Sequence, residues 1–313
     1  MKVSVKVPAT SANLGPGFDT MGVAFPLYNI ITIEETVMPG SGVLIELVSD
    51  FDYKDKAHLE HVPVDENSII YKAVELLYNS IGQTPGELKI TVNSKIPMTR
   101  GLGSSSSVIV GALIAANELL GKPADEAALL SIATEIEGHP DNVAPAILGG
   151  MLFASLQDDG SVIYKKLPWP EEWKITACVP DFELSTDIAR SVLPKEVPMK
   201  DAIFNAQRTA MFVDAVHTKD SAMMKLALHD RLHQPYRMNL MPGLEEIMNA
   251  LKYEENVLGC VISGAGSTIL LITEKNGADK AKAIVRNIWN AQNVKVDIYD
   301  FPIDYEGAQI ISS

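Results

Sequence analysis

Two patterns of hydrophobic and polar residues alternate along the first half of the chain. The pattern typical of strands is found in four segments, residues 2–7, 28–36, 43–48 and 88–92. The pattern typical of helices is found in four others, residues 67–81, 104–120, 124–136 and 143–148. We expect the first strand to stop at Pro8, because proline cannot donate a ladder hydrogen bond. Turns are expected at residues 38–42 and 158–160.

The second half begins after a proline-rich connection, LPWPEEW at residues 167–173, which predicts a domain boundary. Beyond it the pattern predicts helices near residues 200–217, 219–229, 243–252 and 277–291. It predicts strands at residues 173–179 and 294–299, and a strand–turn–strand unit at 259–273. Strands and helices alternate without a steady strand–helix–strand rhythm, so we expect an α+β fold rather than a doubly wound sheet. The expected domains are residues 1–168 and 169–313.

Length and charge narrow the classes of function. A chain of 313 residues has room for two domains and needs no disulfide or metal staples. Its 26 Lys and Arg against 40 Asp and Glu give a net charge of −14, which argues against nucleic acid or an anionic membrane as main partner. Cys178 and Cys260 lack metal-binding spacing. Neither a signal-like N-terminal run nor a bilayer-length apolar stretch is found, so we expect a cytoplasmic protein.

The strongest chemical signal is the segment PMTRGLGSSSS at residues 97–107. Gly101 and Gly103 allow a tight turn, and four serines then begin an apolar helix. The N–H groups and dipole of a helix N-terminus favour phosphate, and the hydroxyls add donors or a magnesium ligand. The segment is neither a Walker A loop nor GxGxxG, since Ser106 stands at the last glycine position. A plain helix cap is the alternative, but capping needs only one such side chain.

Three further segments could carry chemistry. The glycine-rich stretch at residues 8–22, with Asn13 and Asp19 as polar anchors, fits a binding loop or a plain connector equally well. EIEGHPDN at residues 135–142 offers carboxylates that suit Mg²⁺, although a helix cap with a surface histidine would give the same letters. SGAGST at residues 263–268 fits either a bulged hairpin turn or a second glycine-rich lip. A Ser/His/Asp hydrolase is disfavoured, because no GxSxG elbow occurs.

Taken in order, PATSANLGPGFD, PMTRGLGSSSS, EGHPDN and SGAGST resemble the GHMP small-molecule kinases along nearly the whole chain. The resemblance is strongest to the members that act on L-homoserine. It implies ATP-dependent phosphorylation of the homoserine hydroxyl, a step of threonine biosynthesis. It also implies an N-terminal α/β domain with the phosphate loop and a C-terminal ferredoxin-like domain.

The resemblance also implies roles for individual residues. The implied ATP-binding residues are Asn67, near the adenine, and Pro97, Met98, Thr99, Arg100, Gly101, Leu102, Gly103, Ser104, Ser105, Ser106 and Ser107. The implied substrate-binding residues are Asn13, Asp19, His139, Asn142, Thr186, Arg190 and Arg237. Mg²⁺ would be held by Ser104 and Glu135, with Glu137 as the alternative to Glu135. An arginine suits the substrate carboxylate, and Asp19 suits its ammonium group.

The catalytic residues implied are Asn142, Asp141 and Ser104. We expect Asn142 to orient the acceptor hydroxyl, because phosphoryl transfer depends on positioning and charge neutralisation more than on a base. Asp141 as a general base is the alternative. Ser267 departs from the proline usual in the third motif, so a looser hairpin is expected there.

Two other functions stay open at this stage. One is a kinase for another small alcohol of the mevalonate or sugar type, and the other is a non-catalytic regulator that binds nucleotide or amino acid. Homodimers are common among similar proteins, and the sequence leaves the oligomeric state open.

Overall fold

The computed structural model describes residues 1–36, 42–49 and 63–313. Seven strands form the first sheet: β1 (Lys2–Asn13), β2 (Gly17–Glu35), β3 (Val43–Ser49), β4 (Leu88–Ser94), β5 (Met151–Leu156), β6 (Val162–Leu167) and β11 (Gln309–Ser312). The strand order is β11-β1-β2-β4-β3, and β5 branches from β2 to pair with β6. Among the described strands of this sheet, only β3 and β4 pair in parallel.

Within the described residues, four helices accompany this sheet: α1 (Ile69–Ser80), α2 (Ser104–Leu119), α3 (Glu126–Glu137) and α4 (Pro140–Leu148). Buried Val, Ile, Leu and Ala side chains from these helices and from β1, β2 and β4 form one continuous core. Helix α2 is buried along most of its length, which agrees with the nearly unbroken apolar run after its serines.

The second sheet contains β7 (Trp173–Pro180), β8 (Val257–Ile262), β9 (Ile269–Glu274) and β10 (Val296–Phe301) in the order β10-β7-β9-β8. The helices of this half are α5 (Thr186–Ser191), α6 (Met199–Thr218), α7 (Ser221–Ala227), α8 (Gln234–Arg237), α9 (Leu244–Leu251) and α10 (Ala278–Ala291), with a 3₁₀ turn at Met238–Leu240. All pairs are antiparallel, and helices connect the first strand to the second and the third to the fourth. This is the ferredoxin-like arrangement that the sequence predicts.

Two predictions near the N-terminus are wrong. Strand β1 does not stop at Pro8 but continues to Asn13, because a bulge between Pro8 and Ala9 accommodates the missing N–H donor. The stretch at residues 8–22 is therefore strand for most of its length, and only residues 14–16 separate β1 from β2. The turn predicted at residues 38–42 lies almost wholly outside the described residues.

The last strand of the described chain joins the first sheet and not the second predicted domain. Residues 169–313 are predicted to form the second domain, yet β11 pairs antiparallel with β1 at the edge of the first sheet. Asp304 fixes the approach to β11: its carboxylate accepts hydrogen bonds from the Tyr28 hydroxyl at 2.6 Å and the Gly307 N–H at 2.8 Å. No helix among the described residues is long and apolar enough to cross a membrane.

Candidate active site

The predicted phosphate loop connects β4 to α2. Gly103 caps α2 in a left-handed conformation (φ +68°), and an added Cβ would lie 1.9 Å from Thr10 Oγ1. At Gly101 (φ +73°) an added Cβ would lie 2.1 Å from the Ser263 carbonyl oxygen. Both positions therefore require glycine, because the backbone turns left-handed while touching a neighbouring segment. The loop is wedged between β1 on one side and the turn before β9 on the other.

The turn before β9 is tied to this loop and is not loose. The Ser263 hydroxyl donates to the Gly101 carbonyl at 2.6 Å, and the Thr268 N–H donates to the Arg100 carbonyl at 3.1 Å. Ser267 is fully buried and its hydroxyl donates to the Phe182 carbonyl at 2.6 Å. The expectation of a looser hairpin at Ser267 is therefore wrong, since its hydroxyl is held by a hydrogen bond.

The serines at the start of α2 meet the end of α3. Ser106 Oγ donates to Glu137 Oε1 at 2.7 Å, and Ser105 Oγ donates to Glu137 Oε2 at 3.3 Å. Glu137 is the last residue of α3, and its side chain reaches across to the loop. Glu135 is exposed and does not line the cavity that opens beside the loop. The geometry thus favours Glu137 over Glu135 as the carboxylate beside the phosphate loop.

A cavity of about 150 Å³, here called the acceptor cavity, opens directly beside the phosphate loop. It brings together all seven residues implied for the substrate: Asn13, Asp19, His139, Asn142, Thr186, Arg190 and Arg237. These residues come from β1, β2, the start of α4, α5 and α8. The two halves of the chain therefore both contribute to one site.

Charged side chains line one wall of the acceptor cavity. Arg190 donates two hydrogen bonds to the Asp19 carboxylate, at 2.8 and 3.2 Å. Arg237 is almost fully buried and donates to the carbonyls of Ala189 and Gly264 at 3.1 and 3.0 Å. Burial and the charge of Arg190 lower the pKa of Arg237 to about 10, so the Arg237 guanidinium is charged at neutral pH.

The start of α4 forms the adjoining wall, where side-chain ligand atoms of His139 and Asp141 lie within 4.8 Å of Asp19. His139 Nδ1 lies 2.5 Å from Asp141 Oδ1, and Thr10 Oγ1 donates to Asn142 Oδ1 at 2.9 Å. The hydrogen bond from Thr10 fixes the amide of Asn142, so the Asn142 NH₂ group points away from Thr10. Burial raises the pKa of Asp141. Burial acts to lower the pKa of His139, but the hydrogen bond and charge of Asp141 outweigh it and raise that pKa.

A second cavity of about 350 Å³, here called the apolar cavity, borders the same loop. Its described lining is largely apolar and includes Ile69, Val92, Met98 and Val108. Asn67 stands at its edge, and Ser104 and Ser105 line both cavities. The phosphate loop therefore separates an apolar cavity from a charged one.

Two side chains predicted to bind ATP make contacts elsewhere. The Ser107 hydroxyl is buried, accepts a hydrogen bond from Asn29 Nδ2 at 2.8 Å and donates to the Ser104 carbonyl. The Arg100 guanidinium pairs with Glu183 at 3.0 Å and donates to the Pro180 carbonyl. Both side chains therefore brace the loop from within the protein.

Sequence reasoning also missed residues that position this site. Thr10 contacts both the loop and Asn142, and Phe18 lies against both cavity arginines. Both fall in the stretch at residues 8–22 that the sequence singles out, but small and aromatic side chains give no chemical signal of their own.

Comparisons with known proteins agree with this architecture. Models of the GHMP kinases N terminal domain and the GHMP kinases C terminal region match residues 68–150 and 212–291. A solved mevalonate kinase covers 98% of this chain with a TM-score of 0.65 at 16% identity, which is a likeness of fold alone. The fold and the phosphate loop thus define a GHMP kinase.

Closer relatives narrow the class. The homoserine kinase of Caldicellulosiruptor saccharolyticus is 44% identical over 88% of this chain and 85% of its own length. That of Clostridium botulinum is 42% identical over 94% and 96%. The crystal structure of homoserine kinase from Cytophaga hutchinsonii has a TM-score of 0.86 at 27% identity and covers 99% of this chain and 97% of its own. The chain belongs to the homoserine kinase family within the GHMP kinases, which confirms the resemblance expected from the sequence.

Proposed function

We propose that this chain transfers the γ-phosphoryl group of ATP to the side-chain hydroxyl of L-homoserine, forming O-phospho-L-homoserine and ADP. The observation that carries the proposal is that the phosphate loop and all seven implied substrate residues face one cavity. A kinase must hold donor and acceptor next to one another, because positioning supplies most of its catalysis. Membership of the homoserine kinases supports the choice of acceptor.

ATP lies across the phosphate loop in this proposal. Its adenosine occupies the apolar cavity, whose lining suits a flat heterocycle. Its phosphates rest on the backbone at the start of α2, where unpaired N–H groups and the helix dipole favour negative charge. The γ-phosphate then faces the acceptor cavity, because Gly101, Gly103 and Ser104 line that cavity as well.

L-Homoserine binds as a zwitterion on the charged wall. Its carboxylate is taken by Arg190 and Arg237, which offer planar N–H donors. Its ammonium group is taken by Asp19, whose carboxylate pairs with Arg190 in the structure. When L-homoserine binds, the Asp19–Arg190 ion pair is replaced by two ion pairs, one from Asp19 to the substrate ammonium and one from the arginines to its carboxylate. This exchange favours a molecule that carries both charges over a neutral sugar.

The transfer step forms a bond between the homoserine hydroxyl oxygen and the γ-phosphorus, breaks the bond from that phosphorus to the β-phosphate oxygen, which leaves with ADP, and releases the hydroxyl proton to solvent. Because Thr10 holds Asn142 Oδ1, the Asn142 NH₂ group donates to the hydroxyl oxygen and fixes its direction of attack. Asp141 pairs with His139 and keeps that side chain in place on the cavity wall. In this proposal Asn142 is the orienting group, and Asp141, whose Oδ1 contacts His139, does not act as the base.

Mg²⁺ is expected with ATP, and the donor set at the loop fits it. Glu137 supplies a carboxylate beside the hydroxyls of Ser105 and Ser106, and Ser104 lines the same corner. Carboxylate, hydroxyl and phosphate oxygens are the ligands that Mg²⁺ prefers. We assign Ser104 and Glu137 as its protein ligands. When bound, the ion neutralises phosphate charge.

The test is ADP release by the purified protein with Mg²⁺-ATP and one acceptor at a time: L-homoserine, mevalonate, galactose or L-serine. Turnover with L-homoserine alone supports the proposal. Turnover with mevalonate or galactose would overturn the assigned acceptor, and tight ATP binding without turnover of any acceptor would indicate a regulator.

A further inference from the structure

One aromatic ring lies against both arginines of the acceptor cavity. The guanidinium carbon of Arg190 is 5.7 Å from the centroid of the Phe18 ring, and that of Arg237 is 5.4 Å from the same centroid. Both distances fall within the range of about 6 Å for cation–π attraction. Phe18 is the second residue of β2 and directly precedes Asp19.

The Phe18 ring is itself held in place. It stacks on the His233 ring, with centroids 5.1 Å apart and planes 20° apart. His233 is fully buried; its Nε2 donates to the Gly15 carbonyl at 2.7 Å, and its Nδ1 accepts from Arg237 at 3.3 Å. Burial lowers the pKa of His233, which keeps it neutral and able to accept from Arg237. The ring, the histidine and the buried arginine thus form one packed unit.

An aromatic ring suits a pair of arginines that must stay available to a ligand. Two guanidiniums that converge on one carboxylate repel each other, and burial adds to the cost of Arg237. The Asp19 carboxylate pairs with Arg190 and offsets part of this repulsion, but it also competes with the ligand for that guanidinium. The face of a ring attracts both cations through its quadrupole and carries no charge.

We infer that Phe18 is a positioning residue that holds Arg190 and Arg237 in the orientation that captures the substrate carboxylate. The inference rests on the proposed function, since it presupposes an amino-acid acceptor. It predicts that the ring matters for acceptors with a carboxylate and not for ATP or for acceptors without one.

The experiment measures kcat and KM for Phe18→Leu, which keeps an apolar side chain and removes the ring. Acceptors are L-homoserine and 3-amino-1-propanol, which is homoserine without its carboxylate. We expect the KM for L-homoserine to rise about tenfold, which corresponds to about 1.4 kcal/mol. The KM for ATP and the kcat/KM for 3-amino-1-propanol should stay within about twofold. Phe18→Tyr should restore most of the homoserine affinity, because the ring returns.

Phe204→Leu is the matched control. Its ring also lies against two arginines, Arg208 at 4.4 Å and Arg231 at 3.9 Å, but neither arginine lines the acceptor cavity. This variant should retain wild-type values for both acceptors and for ATP.

Three results would overturn the inference: an unchanged homoserine KM in Phe18→Leu, an equal loss with ATP or with both acceptors, or no rescue by tyrosine. If the wild-type protein does not turn over 3-amino-1-propanol, two results still test the inference. One is a rise in the KM for L-homoserine without a rise in the KM for ATP, and the other is the rescue of the homoserine KM in Phe18→Tyr. Failure of wild type on L-homoserine would instead refute the proposed function.

Discussion

Removing the charge of Glu137 should greatly lower kcat/KM for Mg²⁺-ATP, whereas the same substitution at Glu135 should not. Glu137→Gln keeps the shape of the side chain and removes the charge that Ser105 and Ser106 donate to. Glu135→Gln is the matched control, because Glu135 lies on the same helix and is exposed. Its side chain is rotated by about 200° around the helix axis from that of Glu137.

The expected magnitude follows from these contacts. Hydrogen bonds to a charged acceptor contribute about 1.5–3 kcal/mol against about 0.5–1.5 kcal/mol for a neutral one. The two hydroxyl contacts therefore lose about 2 kcal/mol in all, and the loss of an anionic oxygen beside the phosphates adds to this. We expect kcat/KM for Mg²⁺-ATP to fall at least about 100-fold in Glu137→Gln, since about 1.4 kcal/mol is tenfold. Glu135→Gln should change it less than about threefold.

The assay is ADP release at saturating L-homoserine, with Mg²⁺ titrated at fixed ATP and thermal melting recorded for each variant. A higher Mg²⁺ requirement in Glu137→Gln, with a melting temperature lowered by no more than about 8 °C, would match the assignment. A large loss in Glu135→Gln with near-normal turnover in Glu137→Gln would refute it and return the role to Glu135.

Three further outcomes are expected. Asp141→Asn should lower kcat for L-homoserine less than about tenfold; near-complete loss of turnover with an unchanged homoserine KM would instead identify Asp141 as the base. Gly103→Ala should abolish measurable ATP binding in calorimetry, because its Cβ would lie 1.9 Å from Thr10 Oγ1; normal binding would show that the loop can move aside. Tyr28→Phe should lower the free energy of unfolding in urea by about 1–2 kcal/mol, because it removes the bond to Asp304. Burial and Asp304 raise the pKa of Tyr28 above its ordinary 10.0, so this difference should be full below about pH 10 and disappear as the pH rises further; a difference that does not change with pH would contradict this.

The sequence predicts the phosphate loop because its chemistry is local. Glycines that turn left-handed and serines that begin a helix are adjacent in the chain, and α2 starts at Ser104 as predicted. The seven substrate residues lie far apart in the chain, and only the family resemblance gathers them before the structure does. The helix boundaries predicted for α1, α2 and α3 agree with the structure to within two residues.

What the sequence cannot predict depends on contacts across the fold. The choice between Glu135 and Glu137 turns on which side of α3 meets the loop, and both residues fit the same local pattern. Arg100 looks like a phosphate ligand by position, but its partner Glu183 comes from the other half of the chain. Pro8 continues its strand only because β2 accommodates a bulge opposite it.

The pairing of β11 with β1 has a consequence for how the protein is made. Strand β1 leaves the ribosome well before its outer neighbour β11, which follows only after residues 14–308 have been synthesised. During that interval one edge of β1 lacks its partner, and an open strand edge is where nascent chains pair wrongly or aggregate. A chaperone that shields the open edge of β1 during synthesis should therefore raise the yield of folded protein more than one that acts on the finished chain.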